Sequence, residues 1–376
     1  MLAVVVAPAA MGRPARPRPP AELATIPIAM LTDLGSGRVL YARQPDRRFA
    51  PASVTKVMTA YVAFEELAAG RLTLRRRLTV SAATAREWNG RGTSMYLRPG
   101  EAVSTDDLLH GIMTASANDA AIALAEGYAG SVAAWTFMMN DASRRLGMSH
   151  SRFITPNGWP DGRRTYVSAR DLVTLSSAML TRHPALYQRY AGHRTFRWRQ
   201  NTLGSHDPVT GVVAGADGIK TGYTREAGYN FLGSGERDGR RLVMVVAGAR
   251  SAAERDTASR AFLEWGFSHW RALPLFGKGE TVANAQVQNG DARSVPLVAV
   301  HRIYATLPAQ AESKPRLTLA YRGPLVAPIK AGTRVAELRI AIDGMEPSHI
   351  PLYAARDVAV AGPLDRLING LMNLVP

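Results

Sequence analysis

The run Ser53-Val54-Thr55-Lys56 places a hydroxyl and an amine three residues apart at the head of an apolar-periodic stretch. With Pro51 just ahead, the pattern predicts the first turn of a helix, so both side chains share one face and can meet. A serine hydroxyl is a poor nucleophile until a base takes its proton, and a desolvated lysine can be that base at neutral pH. The helix N-terminus would add backbone N–H groups and a positive dipole end to favour the oxyanion of a tetrahedral intermediate. The same spacing also arises where a serine caps a helix and its lysine is solvated. Only five of the 46 basic residues are Lys, however, and arginine could cap or solvate equally well without acting as a base.

A second of those lysines is Lys220, in Asp217-Gly218-Ile219-Lys220-Thr221-Gly222-Tyr223-Thr224. This reads as a strand at a sheet edge, where Gly222 lets a ligand approach the backbone and Thr221 offers a hydroxyl beside a cationic amine. That pairing suits a carboxylate, although an ordinary turn with a surface lysine has the same look. It is not a phosphate-binding loop, because Ile219 precedes the lysine and no helix follows. Thr114-Ala115-Ser116-Ala117-Asn118 lies between two helical stretches; Ser116 could relay a proton and Asn118 could hold a peptide group, or either could merely cap a helix.

In this order, Ser-x-x-Lys, Ser-x-Asn and Lys-Thr-Gly resemble the motif set of the penicillin-binding proteins and serine β-lactamases. Four further stretches, 97–101 (LRPGE), 153–158 (FITPNG), 166–171 (YVSARD) and 227–230 (AGYN), resemble the low-molecular-mass D-alanyl-D-alanine carboxypeptidases. The likeness covers residues 25–271 closely and the rest more loosely. It implies that Ser53 is acylated, Lys56 is its general base, Ser116 passes the proton to the departing D-alanine and Asn118 holds the peptide carbonyl. It also implies that Lys220 adds positive potential, that the N–H groups of Ser53 and Tyr223 form an oxyanion hole around Gly222, and that Thr221 and Arg250 take the terminal carboxylate. Tyr223 stands where several members of the family carry histidine, which bears on pH dependence. A β-lactamase would need a glutamate-positioned water to clear its ester, and neither Glu126 nor Glu226 has that context. The resemblance therefore implies a carboxypeptidase acting on peptidoglycan stems ending in D-Ala-D-Ala, acylated by β-lactam antibiotics. A D,D-endopeptidase, a β-lactamase and a non-catalytic wall sensor are the other readings.

These motifs must be positioned by an α/β (α+β) body with a mainly antiparallel sheet and a helical subdomain. Helical periodicity runs through residues 57–67, 108–128, 131–146, 168–180 and 252–265, and strand-like runs occupy 28–34, 39–43, 229–234 and 241–247. Gly35-Ser36-Gly37 should turn the first hairpin. Near residues 273–279 the texture changes to short alternating runs at 295–300, 316–321 and 334–342, which predict a small all-β domain. The expected division is 1–24, a signal remnant and Pro/Arg-rich linker; 25–271, the catalytic domain; 272–360, a β-rich accessory domain; and 361–376, an amphipathic helix. That helix could lie in a membrane interface or dock on its own domain, and the resemblance implies an anchor on the outer face of the cytoplasmic membrane. The first residues read either as the end of a secretory signal, hence a periplasmic protein, or as a disordered tail.

There are no cysteines, which excludes thiolate nucleophiles, Cys-ligated zinc and disulfides, and nothing calls for a metal or organic cofactor. The net charge of +16 suits anionic surfaces. It is diffuse, and its densest run, Arg75-Arg76-Arg77, is short and lacks interleaved aromatics, so nucleic acid is not an expected partner.

Overall fold

A computed structural model describes residues 16–362 of the 376, and the chain forms two compact units. One comprises residues 19–34 and 39–267; the other comprises 16–18, 35–38 and, among the described residues, everything from Ser268 onward. Of the expected C-terminal helix (361–376) and the signal remnant with its linker (1–24), residues 363–376 and 1–15 lie outside the described residues.

The first unit is built on an antiparallel sheet. Its strands are β1 (Ile28–Asp33) and β2 (Arg38–Arg43), followed, after the short pairs β3 (Arg77–Thr79) with β4 (Ala102–Ser104) and β5 (Thr195–Trp198) with β6 (Asn201–Gly204), by β7 (Ala216–Thr224), β8 (Gly228–Arg237) and β9 (Arg240–Ala249). The sheet order is β2-β1-β9-β8-β7. Every residue of β1 is buried, so both faces of the sheet are covered. Ile28, Met30, Val243, Val245 and Ala247 belong to the core shared with the helical body. The alternate residues Leu31 and Leu242 face the last helix of the unit, so closely at Gly266 that a Cβ there would lie 2.5 Å from Leu31.

The helices are α1 (Lys56–Ala68), α2 (Ala82–Trp88), α3 (Thr105–Met113), α4 (Asn118–Ala129), α5 (Val132–Leu146), α6 (Ala169–Arg182), α7 (Pro184–Tyr190) and α8 (Ala252–Ser268). The periodic stretch 108–128 is two helices, because the chain breaks at Thr114–Ala117 and the second motif sits in the break. Ser81, Ser104, Ser131 and Ser168 cap α2, α3, α5 and α6 through their hydroxyls, which accounts for where those helices start. The core of α1 is apolar, with Val57, Met58, Tyr61 and Phe64 all buried. That rigid rod fixes the residues at its N-terminus.

The second unit is β-rich, as its alternation predicts. It contains β10 (Trp270–Phe276), β11 (Thr281–Gln288), β12 (Ser294–Val298), β13 (Ile303–Pro308), β14 (Arg316–Ala320), β15 (Leu325–Val326), β16 (Arg334–Ala341) and β17 (Ser348–Ala354). Six form a sheet in the order β14-β16-β17-β12-β11-β15, and β10 pairs with β13. Alternate residues Val295 and Leu297, Leu338 and Ile340, and Ile350 and Leu352 point into one core.

Candidate active site

The three motifs converge on a cleft of about 400 Å³ in the first unit, lined by Ser53, Ser116, Asn118, Asn157, Thr221, Gly222 and Tyr223 among others. Ser53 lies in a single 3-10 turn, Ala52–Thr55, that runs directly into α1, so Lys56 opens the helix one turn later. Neither residue behaves as a helix cap. Lys56 is fully buried, and its Nζ is 2.9 Å from Ser53 Oγ, 2.8 Å from Asn118 Oδ1 and 2.7 Å from the Asn157 carbonyl oxygen.

Burial holds the Lys56 amine well below the ordinary lysine range, nearby Lys220 lowers it further, and Asp119 opposes both. The partners themselves admit either protonation state. Two of them are carbonyl oxygens, which only accept; the third is a hydroxyl, which can also donate. A charged amine can donate to all three, and a neutral amine satisfies them if its lone pair receives the Ser53 proton; desolvation favours the neutral form.

Asn118 is the first residue of α4, yet its side chain turns away from that helix's N–H groups. Its Oδ1 accepts from Lys56 and its Nδ2 donates to the Arg91 carbonyl at 3.0 Å, leaving a second N–H for a ligand. The Thr93 hydroxyl donates to the Ser116 carbonyl at 2.7 Å, and the Asn118 N–H donates to the Thr93 carbonyl at 2.8 Å. Ser116 is held at φ +63° and Ala52, just before the nucleophile, at φ +50°. Such conformations cost about 1–3 kcal/mol each for residues other than glycine and persist where the surroundings impose them. Both flank groups that must be aimed.

The edge strand β7 forms the opposite wall. A Cβ on Gly222 would lie 2.5 Å from the Pro51 carbonyl oxygen and 3.1 Å from the Ser53 nitrogen, so only glycine lets this strand lie along the turn that carries the nucleophile. Asn230 on β8 supports the same turn, donating from Nδ2 to the Ala50 carbonyl at 3.0 Å. Lys220 is buried and its pKa is pushed down to about 7, first by desolvation, then raised by Asp207 and lowered by Arg255. Tyr223 is half exposed and stacks on Tyr229 with ring centroids 4.1 Å apart.

Of the predicted residues, Lys56 and Lys220 are buried and do not line the cleft, and Arg250 is kept out of it on the outer surface. Its side chain is 76% exposed and pairs with Glu254 at 3.0 Å, because the first turn of α8 places that carboxylate four residues on, beside it on the outer surface. Arg255, on the next turn, lines the cleft instead, buried and paired with Asp256 at 2.7 Å. His206 and Trp159 also line it and were not singled out from the sequence. The stretch Arg250-Ser251-Ala252-Ala253-Glu254-Arg255 holds two arginines five residues apart, and the helix phase that separates them was the available signal. Glu126 accepts from the hydroxyls of Ser81 and Thr84, and Glu226 pairs with Arg163 at 3.3 Å. Among the described residues no group of side chains could hold a metal ion.

Residues 17–251 match the family model described as D-alanyl-D-alanine carboxypeptidase, and residues 270–360 match that of the penicillin-binding protein 5 C-terminal domain. The chain is 30% identical to the D-alanyl-D-alanine carboxypeptidase DacA of Haemophilus influenzae over 91% of its own length and 88% of that protein. Penicillin-binding protein 5 from Haemophilus influenzae has a similar structure, with a TM-score of 0.73, 30% identity and coverage of 89% of this chain and 98% of the other. Penicillin-binding protein D2 from Listeria monocytogenes, in its cefotaxime-bound form, is similar over 65% of this chain and 97% of its own, with a TM-score of 0.59 at 30% identity.

Proposed function

The chain belongs to the serine-type D-alanyl-D-alanine carboxypeptidases, penicillin-binding enzymes of the peptidase S11 family, and from that premise we propose how its residues divide the reaction. Ser53 Oγ gives its proton to the neutral Lys56 Nζ and attacks the carbonyl carbon of the penultimate D-alanine. The N–H groups of Ser53 and Tyr223 receive the oxyanion. Lys56 returns the proton through Ser116 to the nitrogen of the departing D-alanine, the C–N bond breaks, and an ester on Ser53 remains. Water, deprotonated by the same amine, then attacks the ester and restores the hydroxyl. Asn118 holds the amine in place through Oδ1 and offers its free N–H to a substrate carbonyl.

The substrate's terminal carboxylate is taken by Thr221 and Arg255, with the charge of Lys220 behind them. Arg255 replaces Arg250 in this role because it is the arginine that faces the cleft. Substrate lies along β7 as an added strand, since of the two sheet edges β7 is the one whose residues line the cleft. The proposal includes export, action outside the cytoplasmic membrane, and attachment there through residues 361–376.

The observation that carries this reading is the fully buried Lys56 amine, with two carbonyl acceptors and one hydroxyl as its three partners. Release of D-alanine from a linear pentapeptide ending in D-Ala-D-Ala tests it, and Ser53→Ala should abolish release. Cleavage of a crosslinked dimer in preference to the linear peptide would favour the endopeptidase reading instead.

A further inference from the structure

A second concavity of about 350 Å³ in the same unit is lined by Arg47, Arg48, Phe49, Arg163, Tyr166 and Glu226, with Pro27, Ile28, Ala50, Ala227 and Gly248. It has no lining residue in common with the catalytic cleft, yet both take residues from the same three segments. Ala50 precedes Ser53, Arg163 follows Trp159, and Glu226 follows Thr224 at the turn between β7 and β8. None of its residues has a part in the acyl-transfer chemistry.

Its chemistry is that of a binding site. The floor is apolar and close-packed, a Cβ on Gly248 lying 3.1 Å from the Pro27 ring. Three arginines stand around it against one carboxylate, Glu226, which Arg163 engages at 3.3 Å. Arg47 is held by the Gln44 side-chain oxygen at 2.8 Å, and the Arg48 guanidinium lies 4.7 Å from the centre of the Tyr166 ring. Among the described residues neither pairs with a carboxylate. Two preoriented guanidinium groups over an apolar floor suit a carboxylate carried on an amide and methylene backbone, because the planar fork accepts the two oxygens while the chain packs below.

We propose that this concavity binds a carboxylate on a second peptide stem of the same polymer whose first stem occupies the cleft. The proposal rests on the carboxypeptidase reading. An exposed arginine–carboxylate contact is weak alone, but a stem tethered to one already bound arrives at high effective concentration, so the contact raises the affinity for polymer and leaves that for a free short peptide unchanged.

The test measures D-alanine release by the full chain and by Arg47→Ala/Arg48→Ala on three substrates. These are a short peptide ending in D-Ala-D-Ala, soluble uncrosslinked glycan chains bearing pentapeptide stems, and the same chains built with amides at the internal stem carboxylates. The double variant should cleave the short peptide within twofold of the parent. On the carboxylate polymer its kcat/KM should fall about tenfold, through KM. The parent should already be that slow on the amidated polymer, with no further fall in the variant, and Arg47→Lys/Arg48→Lys, which keeps the charge without the fork, should keep only part of the polymer preference. Equal loss on all three substrates, no loss on the polymer, or equal cleavage of amidated and carboxylate chains overturns the proposal. A parent that releases nothing from the short peptide overturns the carboxypeptidase reading and this one with it.

Discussion

The five lysines of this chain divide between the two units in a way that separates chemistry from solubility. Lys56 and Lys220 are buried beside the nucleophile, and their pKa values are lowered chiefly by desolvation. Lys278, Lys314 and Lys330, all in the β-rich unit, are exposed. Lys330 pairs with Asp357 at 3.1 Å on the surface. The side chain is the same in both places. What fits Lys56 for the proposed role of base is removal from water, which favours the neutral amine, beside carbonyl acceptors that hold it in place.

The comparison is broken most severely by exchanging lysine for arginine on each side. Lys56→Arg should reduce penicillin acylation and D-alanine release by about 10³-fold or more, since a guanidinium keeps the charge but cannot accept the proton. Lys330→Arg should leave both rates and the thermal midpoint unchanged within error. Gly222→Ala comes next. The added methyl meets the Pro51 carbonyl and the Ser53 nitrogen, so the oxyanion site should be displaced and acylation should fall about 10²-fold or more, with far-UV circular dichroism showing the fold retained. Arg255→Ala should cost about 10- to 100-fold in kcat/KM for peptide, the loss of a charge-assisted contact to the terminal carboxylate, whereas Arg250→Ala should change it less than twofold.

The smallest effect is a pH dependence. Lys220, at about 7, carries its charge below that pH and loses it as pH rises through that value. Carboxylate binding should therefore weaken on the alkaline side, seen as a rise in KM. Lys220→Arg, charged throughout, should flatten that limb. An unchanged limb in the variant would assign the titration to another group.

Most of the site was legible because its chemistry demands particular residue types at short range. Ser53 and Lys56 are three apart on a helix start, and Lys220, Thr221 and Gly222 are consecutive on one strand. What was not legible depends on distance or on backbone. The Asn157 carbonyl that holds Lys56 has no residue-type signal at all, and it comes from 101 positions away. Arg250 and Arg255 differ only in helix phase, and the capture of Arg250 by Glu254 decides which one faces the cleft. The fold shows the same pattern. Long periodic helices and the alternating strands of the β-rich unit were readable, whereas the seven-residue helices α2 and α7 are too short for periodicity to declare them. The break at Thr114–Ala117 was marked by the motif between two helical stretches and not by the periodicity of 108–128, which runs across it.

The central claim, a neutral Lys56 drawing the proton from Ser53, is tested most directly by intact-mass and peptide-mapping mass spectrometry after exposure to a labelled penicillin. One adduct on Ser53 in the parent chain, and almost none over the same interval in Lys56→Arg, is the predicted result. An adduct on any other residue, or acylation of Lys56→Arg at the parental rate, would contradict it.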